Sequence, residues 1–288
     1  MLIYKLFVPQ RLYLTIRTYR DFSSAAKFKQ ASFSNVDEKE MEQFTRHSAE
    51  WWHPHGPARG LLAMNAIRVP LIRDGLIAAG AVEKRRIFRP NVLEKVNILE
   101  VGCGGGFLTE ALARLRANVV GIDPCEELIK VAIEHAKKST TMEQNHIQYK
   151  VETIEQHASK HGERYDAVIA SEVLDHINDK ELFIKQCLDA LKPGGSIFIS
   201  TISRTVPAWV GIIFAGEQIL KLIPEGSHEW HKFITPQEVE RILCRYNCNT
   251  VLVRGMFYQF WSNQWSWTEN TDMHYALHAL KNYSYSTA

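Results

Sequence analysis

The chain has 288 residues, of which 45% are hydrophobic, and its formal net charge is +2 at neutral pH. A nearly neutral chain has no overall attraction for a polyanion, so the composition argues against nucleic-acid binding. Five cysteines, none of them in a Cys-x-x-Cys pair, argue against a disulfide framework or a structural zinc site.

Residues 1–36 form a basic leader that contains one acid, Asp21, and six cations: Lys5, Arg11, Arg17, Arg20, Lys27 and Lys29. The leader carries a charge of +5 and leaves −3 on the remainder. An Arg-rich, Ser-containing segment with few acids predicts a mitochondrial transit peptide. Arg20 and the three residues after it also resemble a processing-peptidase site. The alternative is a basic disordered arm, which the scarcity of acids disfavours.

The body of the chain, residues 37–288, alternates predicted strands with predicted helices and is long enough for one domain. This pattern predicts an α/β fold with a mostly parallel sheet and helices on both faces. We predict strands at 96–101, 118–122, 147–151, 165–170 and 196–201, and a final hairpin from 250–267. Helices are predicted at 107–116, 126–138, 180–191 and 236–246.

Two further features concern helices. Residues 41–79 have helical spacing and precede the first strand, so we predict a helical cap over the ligand edge of the sheet. Thr235, Pro236 and Glu238 fit the N-cap, the first helical position and the acid of a capping box.

A glycine-rich turn follows the first predicted strand. Glycines at 102, 104 and 106 remove side-chain bulk, so that backbone amides at a helix start can face a nucleotide-like ligand. A dinucleotide fingerprint would require glycine at the position of Phe107. Asp123, at the end of the second predicted strand, is placed to accept hydrogen bonds from the ribose hydroxyls of an adenosine.

Acids and a histidine follow the fourth predicted strand, after Ser171. If this segment begins a helical turn, Glu172, Asp175 and His176 share one face and could bind one divalent cation. The alternative is a helix start that is rich in acids and carries a solvated histidine. From spacing alone, the two interpretations are nearly balanced.

An apolar insertion at about 203–234 follows the fifth strand. Its core, 206–223, is too short to span a bilayer and has Trp209 and Lys221 near its ends. It suits a helix lying in a membrane interface, although a helix buried against the sheet or in a dimer interface fits equally well.

Residues 36–280 resemble the ubiquinone-biosynthesis O-methyltransferase family. The resemblance includes the acid-x-Gly-x-Gly-x-Gly motif of class I methyltransferases at positions 100–106. It rests on these motifs: Trp51 and Trp52; Met64, Asn65, Arg68, Val69 and Pro70; positions 99–106; positions 121–124; positions 171–176; positions 191–195; positions 254–256; and positions 267–270.

The resemblance implies a Rossmann-like class I fold with a seven-stranded sheet, and S-adenosylmethionine as the cofactor. The implied cofactor contacts, with the glycine loop included, are Arg68, Gly102, Gly104, Asp123 and Ser171. The implied Mg²⁺ ligands are Glu172, Asp175 and His176. The chain departs from the family at Asp175, where Glu is usual, and at His53, where Asp is usual.

The same resemblance implies methyl transfer to 3,4-dihydroxy-5-polyprenylbenzoate and to demethylubiquinol at the matrix face of the mitochondrial inner membrane. The implied partners are the polyprenylated catechol, the inner-membrane lipid surface and other ubiquinone-biosynthesis proteins. The alternatives are a class I methyltransferase for another small molecule and a non-catalytic subunit of a biosynthetic complex. The sequence identifies no general base, and His228 and His231 are weak candidates.

Overall fold

The computed structural model describes residues 38–138, 144–209 and 229–283. The predicted leader, 1–36, and most of the apolar core at 206–223 lie outside the described residues. The helices are α1 Glu38–His47, α2 Arg59–Ala78, α3 Phe107–Arg114, α4 Glu126–Ala136, α5 Ile154–Lys160, α6 Lys180–Ala190 and α7 Pro236–Arg245. The strands are β1 Asn97–Val101, β2 Asn118–Asp123, β3 Ile147–Val151, β4 Tyr165–Ser171, β5 Leu191–Ile202, β6 Cys248–Gln259, β7 Gln264–Thr268 and β8 His274–Lys281.

The strands form one mixed sheet in the order β3-β2-β1-β4-β5-β8-β6-β7. The first five are parallel, and β8 then pairs antiparallel with both β5 and β6. The predicted α/β class is confirmed. Because the parallel strands end at one edge, the loops after β1, β2 and β4 meet there, at the usual ligand edge of such sheets.

The sheet has eight described strands instead of the predicted seven, and β8 is the addition. The hairpin predicted at 250–267 exists as β6 and β7, and β7 is an edge strand. These are not the last two strands, however, because β8 follows them and inserts beside β5. Its Ala, Leu and Lys residues favour helix by propensity, so only pairing with two neighbours makes this segment a strand.

Alternation along β1 divides the core into two layers. Leu99 faces a layer that includes α5, α6 and α7, whereas Ile98 faces a layer that includes α2 and α3. Successive residues of a strand point to opposite faces, so a short apolar strand covered on both sides is buried throughout. The predicted helices on both faces are therefore present.

The N-terminal segment forms helices α1 and α2, and α2 packs against α3 and β7. Gly75 of α2 lies so close to β5 that an ideal Cβ there would be 2.7 Å from the Phe198 ring. The capping box at α7 is confirmed, since Thr235 and Glu238 exchange hydrogen bonds between side chain and backbone. Close packing of α2 holds the cap against the sheet.

Candidate functional site

The turn between β1 and α3 follows an unusual backbone path. Gly102 and Gly104 have φ angles of +71° and +51°, which residues with a Cβ rarely adopt. The amides of Gly102 and Cys103 both donate to the Ile122 carbonyl, at 2.9 Å and 3.0 Å. These two hydrogen bonds fix the predicted glycine loop to the end of β2.

The aromatic pair preceding α2 holds this loop from outside. The Trp52 Nε1 donates to the Gly105 carbonyl at 2.8 Å, and its ring stacks on His135 of α4 with centroids 3.4 Å apart. The Trp51 ring lies on the loop at Gly104 and Gly105. From the sequence, Trp51 and Trp52 were predicted only as part of a family motif. No periodic pattern in the sequence indicates that they contact the glycine loop about fifty residues away.

Asp123 lies beside the glycine loop at the end of β2 and is 8% exposed. Its Oδ2 accepts from the Gly104 amide at 2.9 Å and its Oδ1 from the Cys125 amide at 2.8 Å. Burial raises the pKa of Asp123 to about 6, although both amide hydrogen bonds oppose that rise. The carboxylate is held in one orientation, and each oxygen retains a lone pair for a ligand.

A second buried acid, Glu100, lies in β1 one strand away from Asp123 and is 4% exposed. The Thr109 hydroxyl of α3 donates to its Oε2. Burial raises the pKa of Glu100 to about 7, and the Thr109 hydrogen bond is the largest opposing effect. Glu100 therefore ties the start of α3 to β1 beneath the glycine loop.

Arg68 connects the helical cap to the ligand edge. Its guanidinium donates to the Asn65 Oδ1 at 2.7 Å, to the Leu61 carbonyl at 3.1 Å and to the Ser171 hydroxyl at 3.0 Å. Ser171 also shares a 2.8 Å hydrogen bond with the Ser200 hydroxyl of β5. The structure thus brings two of the predicted cofactor residues, Arg68 and Ser171, into direct contact.

The loop after β4 differs from the predicted helical turn. Glu172 has a φ angle of +57° and precedes a single 3₁₀ turn at Leu174–His176, so the predicted shared helical face is wrong. The three residues still lie close together. Asp175 Oδ2 is 3.3 Å from the His176 Nε2, and Asp175 Oδ1 accepts from the Thr201 hydroxyl at 3.1 Å.

Glu172 has an exceptional environment in this loop. Its Oε1 is buried and accepts no hydrogen bond from the described residues, while its Oε2 is 3.8 Å from the His274 Nε2. Burial and the neighbouring Asp175 charge raise the pKa of Glu172 to about 7. A buried oxygen that lacks a partner requires an explanation, and a cation or a substrate hydroxyl would supply one.

The residue types of the 172–176 loop suit a divalent cation, but their arrangement is incomplete. Among residues 38–138, 144–209 and 229–283, no group of three or more His, Cys, Asp or Glu side chains is arranged to hold a metal ion. The Asp175 carboxylate instead faces Thr201 and His176. Binding of a metal here would therefore require Asp175 to reorient.

Helix α1 bridges the two loops of the site. Thr45 donates to the Glu127 carboxylate at 3.4 Å, just beyond Asp123, whereas the Phe44 ring contacts the His176 ring with centroids 5.4 Å apart. The predicted helical cap over the ligand edge therefore includes α1. Helix α1 therefore contacts both the loop after Asp123 and the loop that contains Glu172, and it covers the two loops together.

A separate cleft of about 400 Å³ lies between the start of α6 and α7. Its lining includes Lys180, Arg204, Arg241 and His231. Burial, together with the nearby charges of Lys232 and Arg204, lowers the pKa of Lys180 to about 8. His231, one of the weak base candidates, is exposed here and 3.4 Å from the Glu229 carboxylate, whereas His228 lies outside the described residues.

Comparison with known proteins finds related methyltransferases. A methyltransferase-domain family model matches residues 64–253. The rat mitochondrial ubiquinone biosynthesis O-methyltransferase is 42% identical over 267 residues, which are 92% of this chain and 75% of the rat protein. The ubiquinone biosynthesis O-methyltransferase of Rhizobium etli is 37% identical over 244 residues, which are 85% of this chain and 95% of the bacterial protein.

Solved structures support the fold. Magnesium protoporphyrin IX methyltransferase from Synechocystis, solved with bound S-adenosylmethionine, superposes with a TM-score of 0.56 at 16% identity, covering 86% of this chain and 100% of that protein. A second structure of that enzyme, with bound S-adenosylhomocysteine, gives a TM-score of 0.52 at 19% identity, covering 75% and 82%. The glycine loop, the buried Asp123 and the relatives lead to one assignment: this chain is an S-adenosylmethionine-dependent methyltransferase and belongs to the ubiquinone biosynthesis O-methyltransferase family.

Proposed function

We propose that this chain transfers a methyl group from S-adenosylmethionine to a hydroxyl of a polyprenylated catechol in ubiquinone biosynthesis. The observation that carries the proposal is the meeting of two loops at one sheet edge. One is the glycine loop with Asp123, and the other is the 172–176 loop, which Arg68 reaches through Ser171. The names of the relatives support ubiquinone biosynthesis as the pathway.

Five residues would hold the cofactor in this proposal. Arg68 and Ser171 would bind its carboxylate end, Asp123 its ribose hydroxyls, and the backbone at Gly102 and Gly104 would give it close approach. When bound, the cofactor supplies an electrophilic methyl group on a sulfonium. The protein's task is to hold the acceptor oxygen in line with that methyl carbon, and such positioning provides much of the rate.

We further propose that Mg²⁺ assists the reaction and that Glu172, Asp175 and His176 hold it. Supporting this is the buried Glu172 Oε1, which lacks a hydrogen bond among the described residues. The ion would favour the ionised form of a catechol hydroxyl when bound. Asp175 has a shorter side chain than the Glu usual in the family, so its carboxylate would have to leave Thr201 to reach the ion.

The proposed substrates are 3,4-dihydroxy-5-polyprenylbenzoate and demethylubiquinol. Both present a hydroxyl on an electron-rich ring and carry a long apolar tail. A tail of this kind favours an enzyme at a lipid surface. We therefore propose that the protein acts as a peripheral protein at the matrix face of the mitochondrial inner membrane, together with other ubiquinone-biosynthesis proteins.

The proposed contact with the lipid surface is the insertion at 203–234. At its described start, Val206 is 69% exposed and Trp209 is 44% exposed. Exposed apolar side chains that include a tryptophan are typical of segments that lie in the membrane interface. No helix in the described parts of the chain has both the length and the apolar character needed to cross a membrane.

The proposed domain organisation supports the same location. Residues 1–36 would be a transit peptide, and 37–288 would form the methyltransferase domain. Four mammalian relatives carry names that include a mitochondrial location, which favours the same compartment for this chain.

The deciding experiment is a methylation assay with labelled S-adenosylmethionine on a short-tailed 3,4-dihydroxybenzoate and on short-tailed demethylubiquinol. We expect methylation of both, loss of activity with EDTA and recovery with Mg²⁺. Activity that survives EDTA would favour a methyltransferase without metal assistance, acting on another small molecule. Cofactor binding without turnover of either catechol would favour a non-catalytic subunit.

A further inference from the structure

The Trp51 side chain lies directly on the cofactor loop. The residue is 8% exposed. An ideal Cβ at Gly105 would overlap the indole Cδ1 and lie 2.7 Å from its Nε1, and a Cβ at Gly104 would lie 2.8 Å from Cζ2. The indole therefore packs against the loop backbone with no room for a side chain between them.

The indole N–H of Trp51 has no hydrogen-bond acceptor among the described residues, although it is buried. Two other tryptophans differ: the Trp52 Nε1 donates to the Gly105 carbonyl at 2.8 Å, and the Trp265 Nε1 to the Gly60 carbonyl at 2.9 Å. Leaving a buried donor unsatisfied destabilises a protein, so native structures rarely do it without cause. A donor of this kind beside a ligand loop points to an acceptor on the ligand.

The surroundings of Trp51 indicate which part of the cofactor is nearest. The Gly104 amide under the ring donates to Asp123, and Trp51 shares an apolar cluster with Cys125 and Leu128, which follow Asp123 in the chain. Arg68 instead contacts Ser171, at the end of β4. The Trp51 donor therefore belongs to the Asp123 side of the site, where the ribose would lie.

We propose that the Trp51 indole N–H donates a hydrogen bond to a ribose hydroxyl oxygen of the cofactor, while Asp123 accepts hydrogen bonds from the ribose hydroxyls. Donor and acceptor then hold the sugar from two sides. This inference rests on the ribose role of Asp123 in the proposed function. It gives Trp51 a role in cofactor binding, and it leaves Trp52 as the residue that fastens the loop.

The test is calorimetric titration with S-adenosylhomocysteine. Replacing Trp51 with 3-benzothienylalanine removes the N–H and keeps the ring shape, and Trp51→Phe provides a natural substitution. Both variants should bind about five- to tenfold more weakly, the loss expected for one hydrogen bond. As the matched control, Trp265→Phe should lower the melting temperature without changing the affinity. Unchanged affinity in the benzothienyl variant would overturn the proposal. Tighter binding by Trp51→Phe would also overturn it, because the indole would then be occupying the cofactor's space.

Trimmed ligands identify the cofactor group. 5′-Methylthioadenosine keeps the ribose and lacks the amino-acid portion, so the benzothienyl variant should still bind it several-fold more weakly than the wild type. With a 2′,3′-dideoxy analogue of S-adenosylhomocysteine, the two proteins should bind equally. If the difference instead disappears with methylthioadenosine, the donor serves the carboxylate and the proposal is wrong.

Failure of the proposed function gives a different result. Absence of catechol methylation, with the Trp51 effect on S-adenosylhomocysteine intact, would overturn the proposed substrate alone. Wild-type affinity in Asp123→Asn would remove the ribose assignment on which the inference depends.

Discussion

The guanidinium of Arg68 donates a hydrogen bond to the Ser171 hydroxyl across 3.0 Å, and this contact joins α2 to the end of β4. Burial lowers the pKa of Arg68, although Glu100 and Glu172 raise it through their charges. A buried guanidinium needs several fixed acceptors because its desolvation is costly. Arg68 is consequently both a structural connection and a cationic group at the cofactor edge.

Arg68→Lys should destabilise the fold and weaken cofactor binding. A lysine cannot reproduce the hydrogen bonds that the guanidinium makes to Asn65, Leu61 and Ser171. We expect a loss of about 1.5–3 kcal/mol in the free energy of unfolding, measured by urea denaturation. Arg73→Lys is the control, since Arg73 forms an exposed pair with Asp74 and should change stability little. Equal stability of the two variants would contradict the role assigned to Arg68.

Cofactor affinity should depend on the ionisation of Asp123. The pKa of Asp123 is raised to about 6 in the folded protein, from 3.8. Asp123 is therefore about half protonated at pH 6 and mostly protonated below it, and a protonated carboxyl is a poor acceptor of hydrogen bonds from the ribose hydroxyls. S-adenosylhomocysteine affinity should fall up to tenfold per pH unit below that point and stay level above it. Titration calorimetry from pH 5 to 8 measures this, and Asp123→Asn should bind weakly at every pH with no such decline.

The raised pKa of Asp123 has the opposite effect on the stability of the cofactor-free protein: ionisation, which favours cofactor binding, disfavours folding. Because the folded pKa lies above the unfolded one, ionising Asp123 destabilises the cofactor-free fold as pH rises from about 4 to 6. The Asp123→Asn variant should lose that contribution. Its stability in the absence of cofactor should therefore fall less than that of the wild type over this interval, as measured by denaturant titration at each pH.

Glu172→Gln and His176→Ala should abolish methylation while leaving S-adenosylhomocysteine affinity within about twofold. Both side chains would serve the metal ion and the acceptor, so their loss should affect turnover. The methylation assay and calorimetry measure the two properties separately. Glu181→Gln is the control, since that carboxylate pairs with Arg245 on α6 and α7 and should not affect activity. Full activity of both variants in metal-free buffer would reduce the 172–176 loop to a structural role.

Gly105→Ala should lower stability, because its new Cβ would overlap the Trp51 ring. Overpacking of this kind typically costs about 1–3 kcal/mol. The double variant Gly105→Ala with Trp51→Ala should recover much of the loss caused by the Gly105 change, since the overlapping ring is gone. Thermal melts of the four proteins complete the cycle. Additive effects in the double variant would show that the two residues do not contact each other.

Val206→Ser together with Trp209→Ser should weaken binding to liposomes that carry anionic lipids. Each large apolar side chain withdrawn from an interface loses roughly 1.5–3 kcal/mol of burial. Flotation measures the bound fraction, and activity on a tail-less catechol should persist. As a control, Leu182→Ser changes an exposed apolar residue on α6, away from the insertion. Undiminished flotation of the double variant, with a lowered melting temperature, would place the segment in the core.

The sequence predicted those elements whose hydrophobic pattern matches the burial that the folded protein gives them. Strand β3 and the start of α3 were predicted at their observed positions because periodicity and turn residues both determine them. Strand β8 could not be predicted, since its buried His278 resembles a polar interruption. That residue is accommodated by a 3.0 Å hydrogen bond to Ser196 of β5, which only the folded sheet provides.

Some residues of the candidate site could be predicted from the sequence and others could not. Gly102 and Asp123 follow from a motif whose spacing reflects direct backbone constraints, so the sequence was sufficient to predict that the glycine loop and Asp123 lie together. Their contacts with the cofactor stay a prediction. The contacts made by Trp51 and Phe44 depend instead on how α1 and the turn after it lie over the sheet. The left-handed conformation of Glu172 is likewise set by its surroundings. Pairwise contacts across such distances leave no periodic trace in one sequence.

The central position of β8 affects the order in which the chain can fold. In the sheet formed by the described residues, β6 and β7 join the other strands only through β8, which is synthesised after them. While the chain is being synthesised, β5 presents an unpaired edge and the β6–β7 hairpin has no strand to pair with. A nonsense mutation upstream of residue 274 would thus leave a template for aggregation, and a chaperone that shields β5 would be most needed during this interval.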